Sequence, residues 1–309
     1  MKVVVTGGAG FIGSHIVNKL IDAGHEVLVV DNLSRGFQEL VNPKAKFVEL
    51  DLEDQAKLTE AMKDQEAVIH LANYIVVPES VEQPVAYAEN NVVGTVKLLE
   101  AMRTARVEKI IFSSSATVYG ESNQLPLTEK TPLGWANNPY GASKVAMEQF
   151  IGTYHTNWGF DTTILRYFNP YGPNENHEPE THAIPNFIRA TLKKEPIPLH
   201  WKGEQTRDFI YVEDLANAHI RALELSGLHV FNVGSGQGTK VADIVKKIFE
   251  LVGYEVPIND LGPRPGDASA TYASADLIKE KLGWQAETSL EEGLRKTVEY
   301  FRTRLTTAG

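Results

Sequence analysis

Short apolar runs alternate with longer amphipathic stretches through most of the chain. The runs are rich in Val, Ile and Phe and lie at 2–6, 26–31, 46–50, 67–71, 109–114, 162–167 and 229–233. Helical patterns fall between them, near 11–23, 53–63, 80–104, 139–157 and 213–226. Runs of β-branched residues are typical of parallel strands that are buried on both faces. The alternation predicts an α/β fold with a doubly wound parallel sheet, whose ligands bind at the carboxyl ends of the strands.

The pattern changes after Phe168-Asn169, where a turn-rich segment leads into a polar loop. Two histidines of this loop, His177 and His182, are expected to be surface residues and not metal ligands. Residues 236–309 return to helices with short extended pieces. We therefore expect a first domain that contains the sheet and a smaller C-terminal α/β domain that closes over the sheet edge. Their predicted bounds are 1–168 with about 208–235 for the first, and 169–207 with 236–309 for the second.

Composition and charge narrow the class of protein. Of the 309 residues 42% are apolar and 23% charged, which is usual for a globular enzyme. The net charge of -10 argues against nucleic-acid binding. No apolar run approaches the roughly 20 residues of a membrane span. The chain has no cysteine, which excludes disulfides, thiolate catalysis and Cys-ligated metals. We expect a cytoplasmic protein with no metal site, no nucleic-acid partner and no membrane association.

A glycine-rich loop follows the first apolar run and leads into the first helical pattern; it reads Thr6-Gly7-Gly8-Ala9-Gly10-Phe11-Ile12-Gly13. Strand, glycine loop and helix in this order are the context of a dinucleotide site. Gly7, Gly10 and Gly13 would allow a tight turn, close approach to a pyrophosphate, and packing of the helix on the strand. The helix N-terminus would face the phosphate charge. A glycine-rich turn without a ligand is the alternative.

The second apolar run ends in Asp31-Asn32. An acidic residue at this place accepts hydrogen bonds from ribose hydroxyls and repels a 2′-phosphate, which favours NAD over NADP. Arg35 is the nearest residue that could attract the 2′-phosphate instead.

Tyr140 and Lys144 are four residues apart, so on a helix both side chains lie on one face. Asn138 suits the N-cap and Pro139 the first helical position, which would place Tyr140 in the first turn, where the helix dipole favours a phenolate. A tyrosine base near neutrality needs its pKa lowered by roughly 3 units, or about 4 kcal/mol. One cation about 6 Å away supplies roughly 3 kcal/mol at an effective dielectric near 20. Lys144 together with an oxidised nicotinamide would suffice, although an incidental pair on an amphipathic helix is the alternative.

The chain resembles the extended short-chain dehydrogenase/reductases from end to end and, within them, the UDP-glucose (UDP-galactose) 4-epimerases. The resemblance rests on the glycine loop and on Asp31-Asn32-Leu33-Ser34, Asp51-Leu52, Asn90-Asn91 with Gly94-Thr95, Ser113-Ser114-Ser115-Ala116-Thr117-Val118-Tyr119-Gly120, Tyr140 to Lys144, Arg166-Tyr167-Phe168-Asn169, Arg207-Asp208, and Arg264-Pro265-Gly266-Asp267. It implies an NAD-binding Rossmann domain with a nucleotide-sugar-binding domain. The implied reaction is epimerisation at C4 of a UDP-hexose through a 4-keto intermediate, with NAD regenerated in every turnover.

The resemblance also implies residue roles. Tyr140 would remove the proton of the 4-hydroxyl, Ser115 would hydrogen-bond both partners, and Lys144 would bind the nicotinamide ribose and hold the phenolate. The implied cofactor-binding set is Gly7, Gly10, Phe11, Ile12, Gly13, Asp31, Asn32, Asp51, Leu52, Leu71, Ala72, Asn90, Ser113, Tyr140, Lys144 and Tyr167. Asn169, Arg207 and Arg264 would hold the substrate diphosphate and Asp267 the uridine ribose. The implied substrate-binding set is Ser115, Tyr140, Asn169, His200, Arg207, Arg264, Asp267 and Thr271.

Other activities of the same superfamily remain alternatives. Related 4,6-dehydratases place an Asp-Glu pair, and decarboxylases a glutamate, where this chain has Ala116-Thr117. A glucuronate-type epimerase is harder to exclude, and a catalytically silent NAD-sensing protein is the non-enzyme alternative. His200 stands where relatives carry an aromatic residue that stacks on uracil. The preference for a uracil or a thymine nucleotide therefore stays open. After Ala72, where relatives often place a Gln or Lys that reaches the cofactor, the chain reads Asn73-Tyr74-Ile75.

Two further expectations follow from the resemblance. Thr271 falls at the wall beside the 2-substituent of the sugar, where a small residue leaves room for an N-acetyl group. A slip of one residue would put Tyr272 there instead and close the pocket. Relatives pair through the two long helices that here fall near 80–104 and 139–157, so we expect a homodimer.

Overall fold

The fold is a parallel α/β sheet with helices on both faces and a second, smaller layered unit at its carboxyl edge. A computed structural model describes residues 1–121, 124–176, 182–262 and 268–307. The strands are β1 Lys2–Thr6, β2 Glu26–Asp31, β3 Lys46–Glu49, β4 Ala67–His70, β5 Lys109–Ser115, β6 Asp161–Tyr167, β7 Asn169–Tyr171, β8 Ile197–His200, β9 Thr206–Arg207, β10 Phe209–Tyr211, β11 Leu228–Val233, β12 Thr239–Lys240, β13 Ile258–Gly262 and β14 Ala270–Thr271.

The helices alternate with these strands. They are α1 Phe11–Asp22, α2 Gln55–Ala61, α3 Val77–Glu82, α4 Pro84–Tyr87, α5 Gly94–Ala105, α6 Pro139–Trp158, α7 Ala183–Lys193, α8 Val212–Ala222, α9 Val241–Val252, α10 Asp276–Leu282 and α11 Leu290–Thr307. No helix in the described part of the chain is long and apolar enough to cross a membrane.

The seven-stranded sheet has the order β11-β6-β5-β4-β1-β2-β3, and all its strands run parallel. The order reverses between β1 and β4, and ligands of doubly wound sheets bind at such a switch point. The predicted fold class is confirmed.

Alternate residues of β1 enter opposite layers of the core. Val3 and Val5 pack with α1, α8 and α10, whereas Val4 packs with α2, α5 and α6. Because both faces are covered, the strands need apolar residues at successive positions. This requirement explains why the apolar runs located the strands from the sequence.

The helix expected near 80–104 is divided. Pro84 begins α4, and the residue before it, Gln83, has φ −128° and ψ 54°. Proline has no N–H for the helical ladder and disfavours the α conformation of the preceding residue, so α3 ends there. A π-helical turn, Ala88–Val93, then leads into α5.

The smaller unit has an apolar core of its own. The core is formed by α7, α9 and α11 with β8 and β10. Pairs β13·β8 and β10·β7 and the three-stranded sheet β12-β9-β14 complete this part. The domain bounds given above stay a prediction.

Candidate active site

A cavity of about 1390 Å³ opens at the carboxyl ends of β1, β2, β4, β5 and β6. Its other wall comes from the smaller unit, through residues of α7, β8 and β9. The cavity therefore lies at the switch point of the sheet and between the two layered units, which are both preferred places for ligand sites.

The glycine loop forms the floor of the cavity under β1. Gly7 has φ +74°, and a Cβ there would lie 2.7 Å from the backbone nitrogen of Ala72. A Cβ on Gly13 would lie 2.1 Å from the Gly7 carbonyl oxygen. Gly10 differs from both, since its Cβ would have only the Gly7 oxygen, at 3.3 Å, within 4 Å. The fold itself thus requires Gly7 and Gly13, whereas Gly10 keeps open the space in front of α1.

Asp31 lies at the end of β2 with its carboxylate turned into the loop. It accepts hydrogen bonds from the backbone N–H groups of Ala9 (3.0 Å) and Leu33 (2.9 Å), and burial raises the pKa of this carboxyl. Asn32 also lines the cavity, and its amide donates to Asp51 at 2.6 Å. Asp51 is exposed and does not line the cavity, in contrast to the neighbouring Leu52.

The other residues expected to bind the cofactor are brought to the same cavity. Those that line it are Gly7, Gly10, Phe11, Ile12, Gly13, Leu71, Ala72, Asn90, Ser113 and Tyr167. They come from distant parts of the sequence and converge because parallel strands end at one edge of the sheet.

The N-terminus of α6 places Tyr140 and Lys144 as the sequence predicted. The Asn138 side chain accepts from the Gly141 N–H at 2.8 Å, and Pro139 occupies the first turn. Lys144 donates from Nζ to the Ser113 carbonyl at 2.7 Å and lies 5.8 Å from the centre of the Tyr140 ring.

Ser115 completes this group at the end of β5. Its side chain is within hydrogen-bonding reach of the Tyr140 phenol and also accepts from the Thr117 N–H at 3.3 Å. Ser115, Tyr140 and Lys144 therefore lie together on one wall of the cavity.

Burial acts against the low pKa that Tyr140 is expected to have beside Lys144 and an oxidised nicotinamide. Burial raises the pKa of Tyr140 to about 12, opposed by the hydrogen bond with Ser115. Burial likewise lowers the pKa of Lys144 to about 7, opposed by the Glu148 carboxylate. Desolvation disfavours the charged form of both groups, and one lysine in the protein interior does not overcome it.

Residues expected to bind substrate fall into three groups. Asn169, His200 and Arg207 line the cavity from the side of the smaller unit. Arg264 and Asp267 lie outside the described residues. Thr271 pairs with Arg207 across β14 and β9 but is not among the residues that line the cavity.

Several side-chain contacts at the cavity carried no signal that sequence reasoning used. His182, which was expected at the surface, has a side chain that is 34% exposed; it lines the cavity, and its Nδ1 contacts the buried carboxylate of Glu175 at 2.7 Å. His177 lies outside the described residues. Tyr167 donates from its phenol to His219 Nε2 at 2.5 Å, because Nδ1 of that ring contacts the Leu215 carbonyl. The two contacts join residues that are 7 and 52 positions apart in the sequence, so no local pattern predicts them.

Two observations test whether a dinucleotide fits this cavity. Both side-chain polar atoms of Asn73 are shielded from solvent and have no hydrogen-bond partner among the described residues, although Asn73 lines the cavity. Buried polar groups are nearly always paired, so this amide has the properties of a ligand contact. The open space in front of Gly10 at the N-terminus of α1 suits a phosphate group. The residues present fit a dinucleotide.

Comparison with known proteins finds relatives along the whole chain. The sequence profile of the NAD dependent epimerase/dehydratase family matches residues 3–234. A putative UDP-glucose 4-epimerase of Methanocaldococcus jannaschii is 41% identical over 304 residues, which cover 97% of this chain and 98% of the relative.

Solved structures give the same picture. UDP-glucose 4-epimerase of Thermotoga maritima, solved with UDP-glucose, superposes with a TM-score of 0.95 at 39% identity and covers 99% of this chain and 100% of its own. UDP-N-acetylglucosamine 4-epimerase of Methanobrevibacter ruminantium M1, in complex with UDP-N-acetylmuramic acid, superposes with a TM-score of 0.93 at 37% identity and covers 98% of each chain.

Proposed function

Because the chain belongs to the NAD dependent epimerase/dehydratase family, we propose that it interconverts UDP-hexoses that differ in configuration at C4, UDP-glucose and UDP-galactose above all. The cofactor is NAD, as Asp31 indicated. The observation that carries the proposal is the grouping of Ser115, Tyr140 and Lys144 in a cavity that the smaller unit also lines. The residues after Ser115 are Ala116 and Thr117, so no acid stands where the related dehydratases place one to expel a hydroxyl.

In this reaction the protein moves one proton at the sugar 4-oxygen. Bound NAD supplies the acceptor and donor of the C4 hydride. Tyr140 takes the 4-hydroxyl proton as the C4–H bond breaks and returns it to the 4-oxygen when that bond re-forms on the opposite face. Ser115 hydrogen-bonds the same oxygen, and the Lys144 ammonium stabilises the phenolate.

The UDP portion of the substrate is held by the wall that belongs to the smaller unit. Arg207 faces the cavity with Asn169, and a guanidinium suits a diphosphate through charge-assisted hydrogen bonds. The sugar must rotate between the two half-reactions so that its opposite face receives the hydride. Binding energy therefore belongs on the nucleotide and not on the sugar.

N-acetylated UDP-hexoses are included in the proposal. The similarity to the UDP-N-acetylglucosamine 4-epimerase of Methanobrevibacter ruminantium M1 supports this inclusion.

The proposal extends to a homodimer that works in the cytoplasm. Exposed apolar side chains lie on α3, α4, the π-helical turn and α6: Val81 is 62% exposed, Val85 66%, Val93 46%, Phe150 42% and Trp158 47%. Both α3 and α4 pack beside α6, so these side chains lie on neighbouring elements that a second copy would cover as a helix bundle. Phe150→Glu should yield a monomer by light scattering at micromolar concentration, whereas Leu228→Glu, which alters an exposed apolar residue on β11, should leave a dimer. A monomeric wild type would reject this assembly.

Turnover of Tyr140→Phe tests the chemistry. We expect kcat to fall about 10²–10⁴-fold, the usual effect of removing a general base, while UDP still binds. Tyr254→Phe is the matched control, since it also removes one phenolic hydroxyl. That hydroxyl donates to the Thr191 carbonyl, away from the cavity. A Tyr140→Phe enzyme with wild-type turnover would overturn the role of Tyr140. A wild type that consumes NAD stoichiometrically and accumulates an oxidised or dehydrated sugar would overturn the reaction.

A further inference from the structure

A carboxylate lies in the core one helical turn behind the active-site lysine. Glu148 follows Lys144 by four residues and Tyr140 by eight, so all three side chains lie along the buried face of α6. Glu148 is 6% exposed and pairs with Arg166 of β6, Nη2 to Oε2 at 2.6 Å and Nε to Oε1 at 3.0 Å.

The same carboxylate is bonded to the strand that carries Ser115. Ser114 donates from Oγ to Glu148 Oε1 at 2.5 Å. Ser114 lies between Ser113, whose carbonyl accepts from Lys144, and Ser115, which reaches Tyr140. Glu148 therefore fixes α6 to the part of β5 that holds both ends of the catalytic group.

The ion pair continues to the next segments. Arg166 Nη1 donates to the Tyr119 phenol at 3.0 Å, and that phenol donates to Asn232 Oδ1 of β11 at 2.5 Å. One connected network thus links α6, β5, β6, β11 and the turn that follows Ser115. Such a network sets the position of every element that contributes a catalytic side chain.

A contribution to stability does not by itself explain why the Glu148–Arg166 ion pair is buried. Apolar residues of similar volume in place of a buried ion pair are often neutral or stabilising, because the two charges must be desolvated. The consequence for Lys144 offers a better account. Burial lowers the pKa of Lys144 to about 7, and the Glu148 carboxylate opposes that shift.

Among the described groups near Lys144, Glu148 is the one that carries a negative charge. On α6 the lysine faces Tyr140 and Glu148. From β4 it faces His70, which is neutral because burial lowers its pKa to about 3, and from β5 it faces Phe112 and the Ser113 carbonyl. On β6, Arg166 pairs with the Glu148 carboxylate itself.

We propose that Glu148 is a positioning residue of the reaction: it fixes α6 to the end of β5 through Ser114 and Arg166, and it keeps Lys144 in the ammonium form that the Tyr140 phenolate requires. The inference rests on the proposed function. Neither Glu148 nor Arg166 touches the substrate or the cofactor in this account. Their effect passes through Lys144 and the backbone of β5.

The test compares three variants with the wild type. Glu148→Gln keeps the shape and removes the charge, and Glu148→Asp keeps the charge one methylene further away. Glu148→Gln/Arg166→Gln removes both charges and remains measurable if an uncompensated arginine prevents folding of the single variant. Asp161→Asn is the matched control, because it breaks the Lys109–Asp161 ion pair, which joins β5 and β6 at the ends far from the active site.

Two readouts separate positioning from simple structural support. The first is the pH profile of kcat with UDP-glucose, whose alkaline limb falls as the Lys144 ammonium is lost. We expect Glu148→Gln to move that limb down by roughly one pH unit, with KM unchanged, since a nearby opposite charge shifts a pKa by 1–3 units. The double variant should move the limb in the same direction but less, because it also removes the Arg166 charge, which acts on Lys144 in the opposite sense. Glu148→Asp should restore the limb, and Asp161→Asn should leave it in place.

The second readout needs no turnover. The ¹³C shift of the Lys144 side chain in [¹³C]lysine-labelled protein, assigned by its absence in Lys144→Met, reports the ionisation of that amine directly. An unchanged limb and an unchanged Lys144 titration in the variants would overturn the role of Glu148. An inactive wild type whose Lys144 titration still moves in Glu148→Gln would refute the proposed function and leave the charge effect of Glu148 standing.

Discussion

Replacing Gly10 by alanine separates what the glycine loop does for the cofactor from what it does for the fold. A Cβ on Gly10 would have only one protein atom within 4 Å, the Gly7 oxygen at 3.3 Å, and the residue lines the cavity. Its φ of −85° and ψ of 178° suit alanine. The added methyl therefore enters the space in front of α1, where a phosphate would lie.

Comparison with Gly13 shows how much folding stability a Cβ in this loop can cost. There a Cβ would lie 2.1 Å from the Gly7 oxygen and 2.8 Å from the Gly8 Cα, so the backbone must shift by roughly 1 Å, and such overpacking costs about 1–3 kcal/mol or more. For Gly10→Ala the loss of an N-cap glycine and the stiffer unfolded chain roughly offset each other, to within about 1 kcal/mol. The same methyl should cost NAD binding about 1–3 kcal/mol, which is roughly tenfold to a hundredfold in dissociation constant.

The assay measures two quantities for each variant: the melting temperature and the NAD released on denaturation, quantified by mass spectrometry. With NAD removed from both proteins, Gly10→Ala should melt within about 2 °C of the wild type, yet as purified it should retain far less NAD, whereas Gly13→Ala should lose both stability and NAD. Gly152→Ala is the control, because nothing lies within 4 Å of its Cβ in α6, and it should gain about 0.5–1 kcal/mol with full NAD content. A Gly10→Ala protein with wild-type NAD affinity would refute the placement of the phosphates.

Three further predictions follow from the site. NAD should bind about a hundredfold more tightly than NADP, since a 2′-phosphate would meet Asp31 while Arg35 is already paired with Glu79; comparable dissociation constants would reject this reading. Thr271→Tyr should abolish epimerisation of UDP-N-acetylglucosamine and spare UDP-glucose, both followed by product analysis; equal loss for the two sugars would remove Thr271 from the sugar wall. Lys144→Met should lose turnover yet resist unfolding better at low pH, by a few kcal/mol, since the folded state must bury an ammonium there. The buried lysine destabilises the wild type fully below pH 7, and this cost fades up to about pH 10.5, where the unfolded lysine also loses its proton. A stability gain of Lys144→Met that does not depend on pH would contradict this prediction.

Features governed by local sequence were predictable. The apolar runs located the strands because a sheet covered on both faces needs them, and Asn138-Pro139 located the start of α6 because a cap is a contact within one turn. The division of the long helix at Pro84 is also local, but the helical periodicity around it concealed the break.

Features governed by the tertiary environment were not predictable. The pKa of Tyr140 depends on how completely the fold removes it from water, and proximity to Lys144 in the sequence says nothing of that burial. The pair of Glu148 and Arg166 joins a helix to a strand, and Asn73 attracts notice only because its amide is buried without a partner.

The proposed epimerisation requires that the C4 hydride leave and return within one active site. It is tested most directly with UDP-glucose that carries deuterium at C4, incubated with the purified protein without added NAD and analysed by NMR and mass spectrometry. The UDP-galactose formed should retain the deuterium at C4, with no net reduction of NAD. Loss of the deuterium to solvent, or accumulation of a keto or dehydrated sugar, would contradict it.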